Sequence, residues 1–243
     1  ATIADMAAGT MGTDTGGSIR IPASLCGCVG FKPTYGRVSK AGVMMMSWQL
    51  DHPGPLTRTV RDAATMLTAV QGYDPRDATT SRVGRVDYAS AFEAGLQGLV
   101  VGVPRAYYWE GLDPEVAGAC EAALKVFSEN GAIVREVDVP SFAPQIRATF
   151  DMVRTEAIEF HADRLAANPE GFSPELHAIF AAGPISGLDY VKAQRQIYEF
   201  TQGVRTALEP VSVLVMPTTP APASPIGGSG AAVQNTAPFN ATG

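Results

Sequence analysis

The sequence predicts an α/β fold in which a mixed, largely parallel central sheet is covered by helices on both faces. An apolar run at 98–104 has the pattern of a strand buried on both faces, and 133–137 begins a second strand. Between them Asp113-Pro114 starts a helical segment, and the order strand, helix, strand favours a right-handed parallel crossover. Because 243 residues with 46% hydrophobic content can bury a large core, we expect one domain over residues 1–243.

Helical periodicity supplies the other elements of this fold. It is clearest at 57–72, and longer periodic segments at 145–168 and 188–209 predict two further helices, separated by a segment that contains Pro and Gly. Val211 to Met216 predicts another buried strand. The apolar positions at helical spacing in the first helix are Val60, Ala63, Ala64, Leu67 and Val70.

Three other segments are less regular. Residues 2–11 are small and apolar, which suits either a helix or a strand, and residues 33–54 have the punctuation of loops and a short strand. The Pro-rich segment 217–222 predicts a loop. The glycine-rich segment 227–230 favours a mobile loop over a second phosphate-binding site.

The segment from Gly12 to Pro22 is the most informative motif. Gly16 and Gly17 have no Cβ, so the backbone can direct consecutive N–H groups into one concavity that stabilises an oxyanion. Ser18 follows directly and supplies a hydroxyl nucleophile. Because an ordered, apolar run follows instead of more small polar residues, the pattern favours a shaped pocket over a linker.

This motif and its flanks resemble the amidase signature family. The resemblance lies in GTDTGGSIRIPASLCGCVGFKPTYGRVS and continues through SWQLDHPGPLTRTVRDAATML. It recurs at 213–222 and 235–243, and thus extends in stronger and weaker patches over nearly the whole chain. The resemblance implies the family's α/β fold and hydrolysis of a linear carboxamide through an acyl-serine intermediate, without a cofactor or metal.

The resemblance implies roles for particular residues of the motif. The nucleophile is Ser18, and the oxyanion-hole N–H groups come from Thr15, Gly16 and Gly17. The polar residues that support the nucleophile loop are Thr13, Asp14 and Arg20.

The family's mechanism also uses a lysine and a serine with a cis peptide bond, both upstream of the nucleophile. This sequence begins at Ala1, and no residue matches either of them. A serine hydroxyl needs a base within hydrogen-bond reach, and no base can be assigned from the sequence. We therefore expect the chain to be an internal fragment of a longer amidase, incomplete at both ends. The lysines that match no catalytic lysine are Lys32, Lys40, Lys125 and Lys192.

Charge and cysteine content restrict partners and location. A net charge of −6 without a basic run favours neither nucleic acid nor an anionic membrane, although a tRNA held by another subunit stays open. Three cysteines form no complete disulfide framework, and the spacing of Cys26 and Cys28 is not that of a zinc site. We expect a cytoplasmic protein with a small amide as substrate, and leave open whether it forms a homodimer.

Other polar residues allow both a structural and a functional interpretation. Asp51-His52 fits a general-base pair, but a structural turn before Pro53 is favoured. His161 and His177 lie in helical segments and are expected to be surface or core residues. Met44 to Met46 fits core or pocket lining, with a substrate-side role as the alternative.

Three functions remain in view. The leading hypothesis is amide hydrolysis with release of ammonia or an amine. The second is the glutaminase subunit of a tRNA-dependent amidotransferase, which the uncharged Ala178 and Ile179 weaken, because a substrate carboxylate needs a cation. The third is a catalytically silent fragment that binds anions or small ligands at the N–H groups of residues 15–17.

Overall fold

The computed structural model describes residues 1–225, 228 and 232–243. This part of the chain combines helices with two small sheets, one of them parallel, which confirms the α/β class. The strands are β1 (Gly9–Asp14), β2 (Val29–Gly30), β3 (His52–Thr57), β4 (Val100–Val103), β5 (Ile133–Glu136) and β6 (Val213–Leu214). The helices are α1 (Arg20–Cys26), α2 (Val60–Val70), α3 (Pro114–Glu129), α4 (Ala143–Ala167), α5 (Pro174–Ala181), α6 (Gly187–Leu208) and α7 (Ala237–Ala241).

The first sheet is antiparallel and has the strand order β1-β3-β2. β1 and β3 pair along their whole length, from Gly9 opposite Thr57 to Asp14 opposite His52. Because β1 ends at Asp14, the motif residues 15–18 follow directly at this end of the sheet.

The second sheet is parallel, with β4 between β5 and β6. α3 connects β4 to β5, so the strand, helix, strand unit predicted from the sequence is confirmed. Val101 and Val103 of β4 are buried and pack with Leu124 of α3 and Ala132. This unit forms one of the hydrophobic clusters of the chain.

The two long helices α4 and α6 pack against each other and against the segment before β3. The rings of Phe142 and Phe200 lie with their centroids 4.7 Å apart. Met152 of α4 and Ala193 of α6 share a second apolar cluster with Leu50. The packing places α4 beside the loop that follows β1.

Local chemistry fixes where several helices begin. A Ser, Thr or Asp side chain that accepts a backbone N–H at the N-cap satisfies a donor the helix leaves free, which stabilises the helix by about 1 kcal/mol. The helices that begin in this way are α2 at Thr59, α3 at Asp113, α5 at Ser173 and α6 at Ser186.

Two elements differ from the sequence prediction. The segment 168–187 contains α5, whose eight residues are too few to give a clear helical period. The strand predicted at 211–216 is reduced to β6, and Val213 is 37% exposed because β6 lies at a sheet edge instead of inside the sheet.

Other segments agree with the expectations or lie outside them. Of the two alternatives for residues 2–11, the strand is correct from Gly9 onward, and residues 2–5 form a turn. The loop expected at 217–222 is confirmed. The loop expected at 227–230 lies outside the described residues except for Gly228.

No helix in the described part of the chain has the length and apolar character needed to cross a membrane. The described residues also include no group of three or more His, Cys, Asp or Glu side chains that could hold a metal ion. Cys26, Cys28 and Cys120 are free thiols.

Candidate active site

The loop that carries Ser18 connects β1 to α1. Residues 15–19 leave the sheet after Asp14 and turn directly into α1, which begins at Arg20. Ser18 is exposed, whereas Ile19 beside it is fully buried. The bend therefore anchors itself with an apolar side chain and presents the serine hydroxyl outward.

Asp14 holds this loop from beneath. Its buried carboxylate accepts the backbone N–H of Gly17 at 2.7 Å and that of Ile19 at 3.1 Å. Arg20 binds the same carboxylate through Nε and Nη2, each at 3.0 Å. Burial alone would raise the pKa of Asp14, but hydrogen bonds and charge from Arg20, with a hydrogen bond from Asn240, hold it below its usual range. The loop is thus built around an ionised carboxylate.

Asn240 of α7 completes this buried group from the far end of the chain. Its Nδ2 donates to the backbone oxygen and to Oδ1 of Asp14, both at 2.8 Å. Its Oδ1 accepts from Nη2 of Arg20 at 2.6 Å. Asn240 is 1% exposed and Asp14 is fully buried, whereas the Arg20 side chain is partly exposed. The orientation of the nucleophile loop therefore depends on α7.

Gly17 has no space for a side chain, and the space beside Gly16 is tight. Gly17 has φ of +136°, and a Cβ on it would lie 2.3 Å from Oγ1 of Thr236. A Cβ on Gly16 would lie 3.0 Å from Cζ of Phe150. Thr236 also donates its hydroxyl to the carbonyl oxygen of Gly16 at 2.7 Å. Conformation and close packing both require glycine at position 17.

The backbone N–H groups of the predicted oxyanion hole differ in whether they are already hydrogen-bonded within the protein. The N–H of Gly17 is donated to Asp14. Those of Thr15 and Gly16 have no hydrogen-bond acceptor among the described residues. The Thr15 side chain is held separately, since its hydroxyl donates to Oδ1 of Asp51 at 2.5 Å. Among the described residues, two of the three predicted N–H groups thus have no acceptor.

Asp51 and His52 do not act on each other. The carboxylate of Asp51 accepts from Thr15 and from the backbone N–H of Met46 at 2.8 Å. His52 is 2% exposed, and its Nδ1 lies 2.6 Å from the carbonyl oxygen of Leu50. Burial, with the nearby charge of Lys32, lowers the pKa of His52 to about 4. These contacts favour the structural interpretation of the pair over a general-base pair.

Lys32 is the lysine that shares this buried neighbourhood with Asp14, Arg20 and His52. Its Nζ donates to the backbone oxygen of Pro33 at 3.0 Å. Burial and the charge of Arg20 lower the pKa of Lys32 to about 8. Lys32 does not line the cavity at Ser18. It is therefore a partly buried cation behind the loop.

Ser18 opens onto a cavity of about 480 Å³. This volume lies within the range of roughly 300–1,000 Å³ that small-molecule sites occupy. One wall is the loop itself, and the opposite wall comes from α4 and the end of α5. The lining residues are Thr15, Gly16, Gly17, Ser18, Ile21, Met46, Phe150, Val153, Arg154, Ile179, Ala182 and Val233. The cavity is mostly apolar, with one cation among these residues.

Of the other residues that the sequence singled out, Met46 and Ile179 line this cavity, and the others described next lie outside it. Thr13 is exposed in β1, opposite Pro53. His161 is buried with Nε2 3.0 Å from the backbone oxygen of Met45, and His177 is exposed. Met46 alone of the three successive methionines lines the cavity, as the pocket-lining interpretation expected.

Sequence reasoning missed the residues that reach the loop from distant positions. Thr236 and Asn240 lie within a segment that resembles the family, but nothing in their local pattern indicates a contact with Asp14 or Gly16. Phe150 and Arg154 face the cavity from α4, and their spacing of four residues puts them on one helix face. That spacing was the available signal.

A strand, a glycine loop with an exposed serine, and a helix, set beside a mostly apolar cavity, define an α/β protein with a candidate acyl-transfer site. Comparison with known proteins gives the family. The model of the Amidase family matches residues 1–241, and the chain belongs to this family.

Individual relatives agree with this membership. The chain is 41% identical over 215 residues to an amidase of Pseudomonas putida, covering 88% of this chain and 46% of that protein. It is 39% identical over 242 residues to a glutamyl-tRNA(Gln) amidotransferase subunit of Geobacter sp. (strain M21), covering 89% and 50% respectively.

A solved structure shows the same fold. The crystal structure of a glutamyl-tRNA(Gln) amidotransferase subunit from Thermotoga maritima is similar with a TM-score of 0.81 and 31% identity, covering 99% of this chain and 54% of that one. The chain thus spans about half the length of the relatives it matches.

Proposed function

We propose that the protein hydrolyses the C–N bond of a linear carboxamide through an acyl-Ser18 intermediate. The observation that carries the proposal is the placement of the exposed Ser18 next to the free N–H groups of Thr15 and Gly16, at the mouth of a cavity of small-molecule size. Membership of the Amidase family supports the same chemistry.

The reaction has two steps. In the first, Oγ of Ser18 forms a bond to the carbonyl carbon, and the carbonyl oxygen becomes negative opposite the N–H groups of Thr15 and Gly16. The C–N bond then breaks, and the nitrogen leaves as ammonia or an amine with the proton that Ser18 gave up. In the second, water attacks the ester, which releases the carboxylic acid and restores the hydroxyl. None of the described residues is assigned as the base.

Labelling of Ser18 tests this proposal. In the protein that contains this chain, a fluorophosphonate probe should modify Ser18, and Ser18→Ala should lower amide turnover by at least ~10³-fold. Ser24→Ala is the matched control, because this exposed serine lies within α1 and outside the lining of the cavity, so its loss should leave labelling unchanged. An unlabelled Ser18 together with full activity of Ser18→Ala would overturn the assignment.

A second candidate is the glutaminase subunit of a tRNA-dependent amidotransferase. Its support is the identity of 39% to the Geobacter protein and the fold shared with the Thermotoga protein. Co-purification with partner subunits and tRNA-dependent transfer of ammonia would favour it over a free-standing amidase. Amide turnover by a protein that neither co-purifies with partner subunits nor transfers ammonia in a tRNA-dependent reaction would exclude the glutaminase subunit. Turnover by the 243-residue chain alone would reject the catalytically silent alternative.

The cytoplasmic location is part of the same proposal. The three free thiols support a reducing compartment, because such thiols persist where glutathione and thioredoxin systems keep cysteines reduced. Cell fractionation with an antibody to the protein tests it.

A further inference from the structure

Arg154 brings a positive charge into the cavity at Ser18. It lies on α4, in the wall opposite the nucleophile loop, among apolar neighbours that include Phe150 and Val153. Its side chain is 20% exposed. A guanidinium in such surroundings has lost part of its water and therefore gains more from a bound anion than a surface arginine does.

The contacts of Arg154 fix the guanidinium and leave one edge open. Nε donates to the backbone oxygen of Gly183 at 2.9 Å, and Nη1 donates to Oδ1 of Asp151 at 2.5 Å. The Nη2 group donates to no acceptor among the described residues, although a guanidinium has five N–H donors. The side chain is therefore held on two sides while a donor group stays available.

The charge of Arg154 is only partly neutralised. Asp151 is shared, because Nε of Arg147 lies 3.6 Å from its other oxygen, so two guanidinium groups face one carboxylate. Arg147 is 92% exposed and points to solvent, whereas Arg154 lines the cavity. None of the described residues that line the cavity is acidic. The wall that carries Arg154 is thus positively charged. Among these lining residues there is no carboxylate that could pair with a cationic group of a substrate.

We propose that Arg154 selects amides whose acyl part ends in a carboxylate, namely monoamides of dicarboxylic acids. This inference rests on the proposed hydrolysis at Ser18. The apolar lining between the two walls suits a methylene chain, with the amide at Ser18 and the carboxylate at Arg154. Glutamine has a carboxylate too, but its ammonium group would be desolvated without a partner, which is costly. A monoamide such as glutaramate has no such group.

The test compares glutaramate with butyramide and glutamine in the protein that contains this chain. We expect kcat/KM for glutaramate to exceed that for butyramide by about 10- to 100-fold, since a charge-assisted hydrogen bond contributes a factor of this size. Arg154→Gln should abolish the preference, mainly through KM, and Arg154→Lys should keep part of it. Arg147→Gln, which removes the exposed arginine on the same aspartate, should keep it.

Binding of glutarate gives a readout that does not depend on turnover. By isothermal titration calorimetry, Arg154→Gln should bind this dianion about 10-fold or more weakly than wild type, while Arg147→Gln should match wild type. Equal binding by wild type and Arg154→Gln, or an equal loss of kcat/KM for glutaramate and butyramide, would overturn the inference without touching the role of Ser18. Activity that survives Ser18→Ala would instead overturn the proposed function, and the glutarate result would still decide the role of Arg154.

Discussion

At the scale of single residues, the candidate site depends on polar groups buried beneath the loop. His52 is one of them, since it is 2% exposed at the start of β3. Its Nδ1 faces the carbonyl oxygen of Leu50, so the proton is assigned there, and Nε2 has no hydrogen-bond partner among the described residues. A second proton would have to be placed on this dry atom. Protonation of His52 therefore opposes the folded state.

His52 predicts a loss of stability in mild acid. The unfolded histidine takes up a proton near pH 6.5, whereas the folded one has a pKa of about 4. Between these values the unfolded state binds more protons, so stability rises with pH and falls as the pH drops from about 6.5 to 4. The full effect is of order 3 kcal/mol. Urea denaturation of wild type and His52→Gln at pH 4.5–8 measures this effect. The free energy of unfolding should fall more in wild type than in the variant as the pH drops, and the difference between the two decreases is roughly the contribution of His52.

The control for this experiment is Leu67→Ala. It removes a buried side chain that is 2% exposed and adds no titratable group, so it should be destabilised equally at every pH relative to wild type. A His52→Gln variant with the pH slope of wild type would contradict the prediction.

Local sequence was sufficient for some residues of the site and not for others. Ser18 and the two glycines before it could be predicted because the backbone chemistry of an oxyanion site needs them next to one another. Asp14 was predicted as a supporting residue, but its partner Asn240 is 226 positions away. Contacts at that separation depend on the completed fold, which no local pattern encodes.

At the scale of secondary-structure elements, α4 links the candidate site to the rest of the chain. Besides Phe150 and Arg154 at the cavity, it carries Glu156, whose carboxylate accepts from Ser47 Oγ at 2.5 Å and from the hydroxyl of Tyr190 on α6. Burial and this carboxylate raise the pKa of Tyr190. The polar contact ties α4 to α6 and to the segment before β3.

A double-mutant cycle measures this tie between helices. Glu156→Gln and Tyr190→Phe should show a coupling free energy of about 1–3 kcal/mol. Either substitution alone removes the hydrogen bond to the partly buried carboxylate, so the double variant has no further hydrogen bond to lose there. Arg195 and Glu199, an exposed pair with 3.7 Å between Nε and Oε1, form the reference cycle and should give about 0.3–0.5 kcal/mol. Equal coupling in the two cycles, from urea denaturation, would show that Glu156 contributes no more than a surface ion pair.

The helices could be predicted from the sequence where an apolar pattern of helical period begins at an N-cap residue. α2 and α3 have both a helical period and an N-cap, at Thr59 and Asp113, and both lie where the sequence placed them. α5 has a cap but only eight residues, so its period is short. The length of β6 depends on how far β4 extends beside it, which is a property of the sheet and not of residues 211–216.

At the scale of the whole molecule, α7 closes the structure onto the loop between β1 and α1. Asn240→Ala would leave Asp14 and Arg20 with fewer partners, so the N–H groups of Gly17 and Ile19 should open more often. Their hydrogen-exchange protection should fall by about 10- to 100-fold, as the loss of 1–3 kcal/mol implies. Mass spectrometry or NMR of the exchanged protein measures this.

Asn130→Ala is the matched control for that experiment. Asn130 is exposed at the end of α3, where its Nδ2 donates to the backbone oxygen of Val126 at 2.8 Å. The variant should change protection only near that helix end. Unchanged protection of Gly17 and Ile19 in Asn240→Ala would mean that Asp14 and Arg20 suffice to hold the loop.

The contact between Asp14 and Asn240 also determines when the site can be completed during synthesis. At a rate of roughly 5–20 residues per second, the 226 positions between them take on the order of 10–45 s to emerge from the ribosome. During that interval the first strand pair can form, since Asp14 and His52 are close in sequence. The carboxylate beneath the serine, however, stays incompletely bonded until α7 arrives. Ser18 is therefore synthesised well before the residue that completes the bonding of Asp14 beneath it.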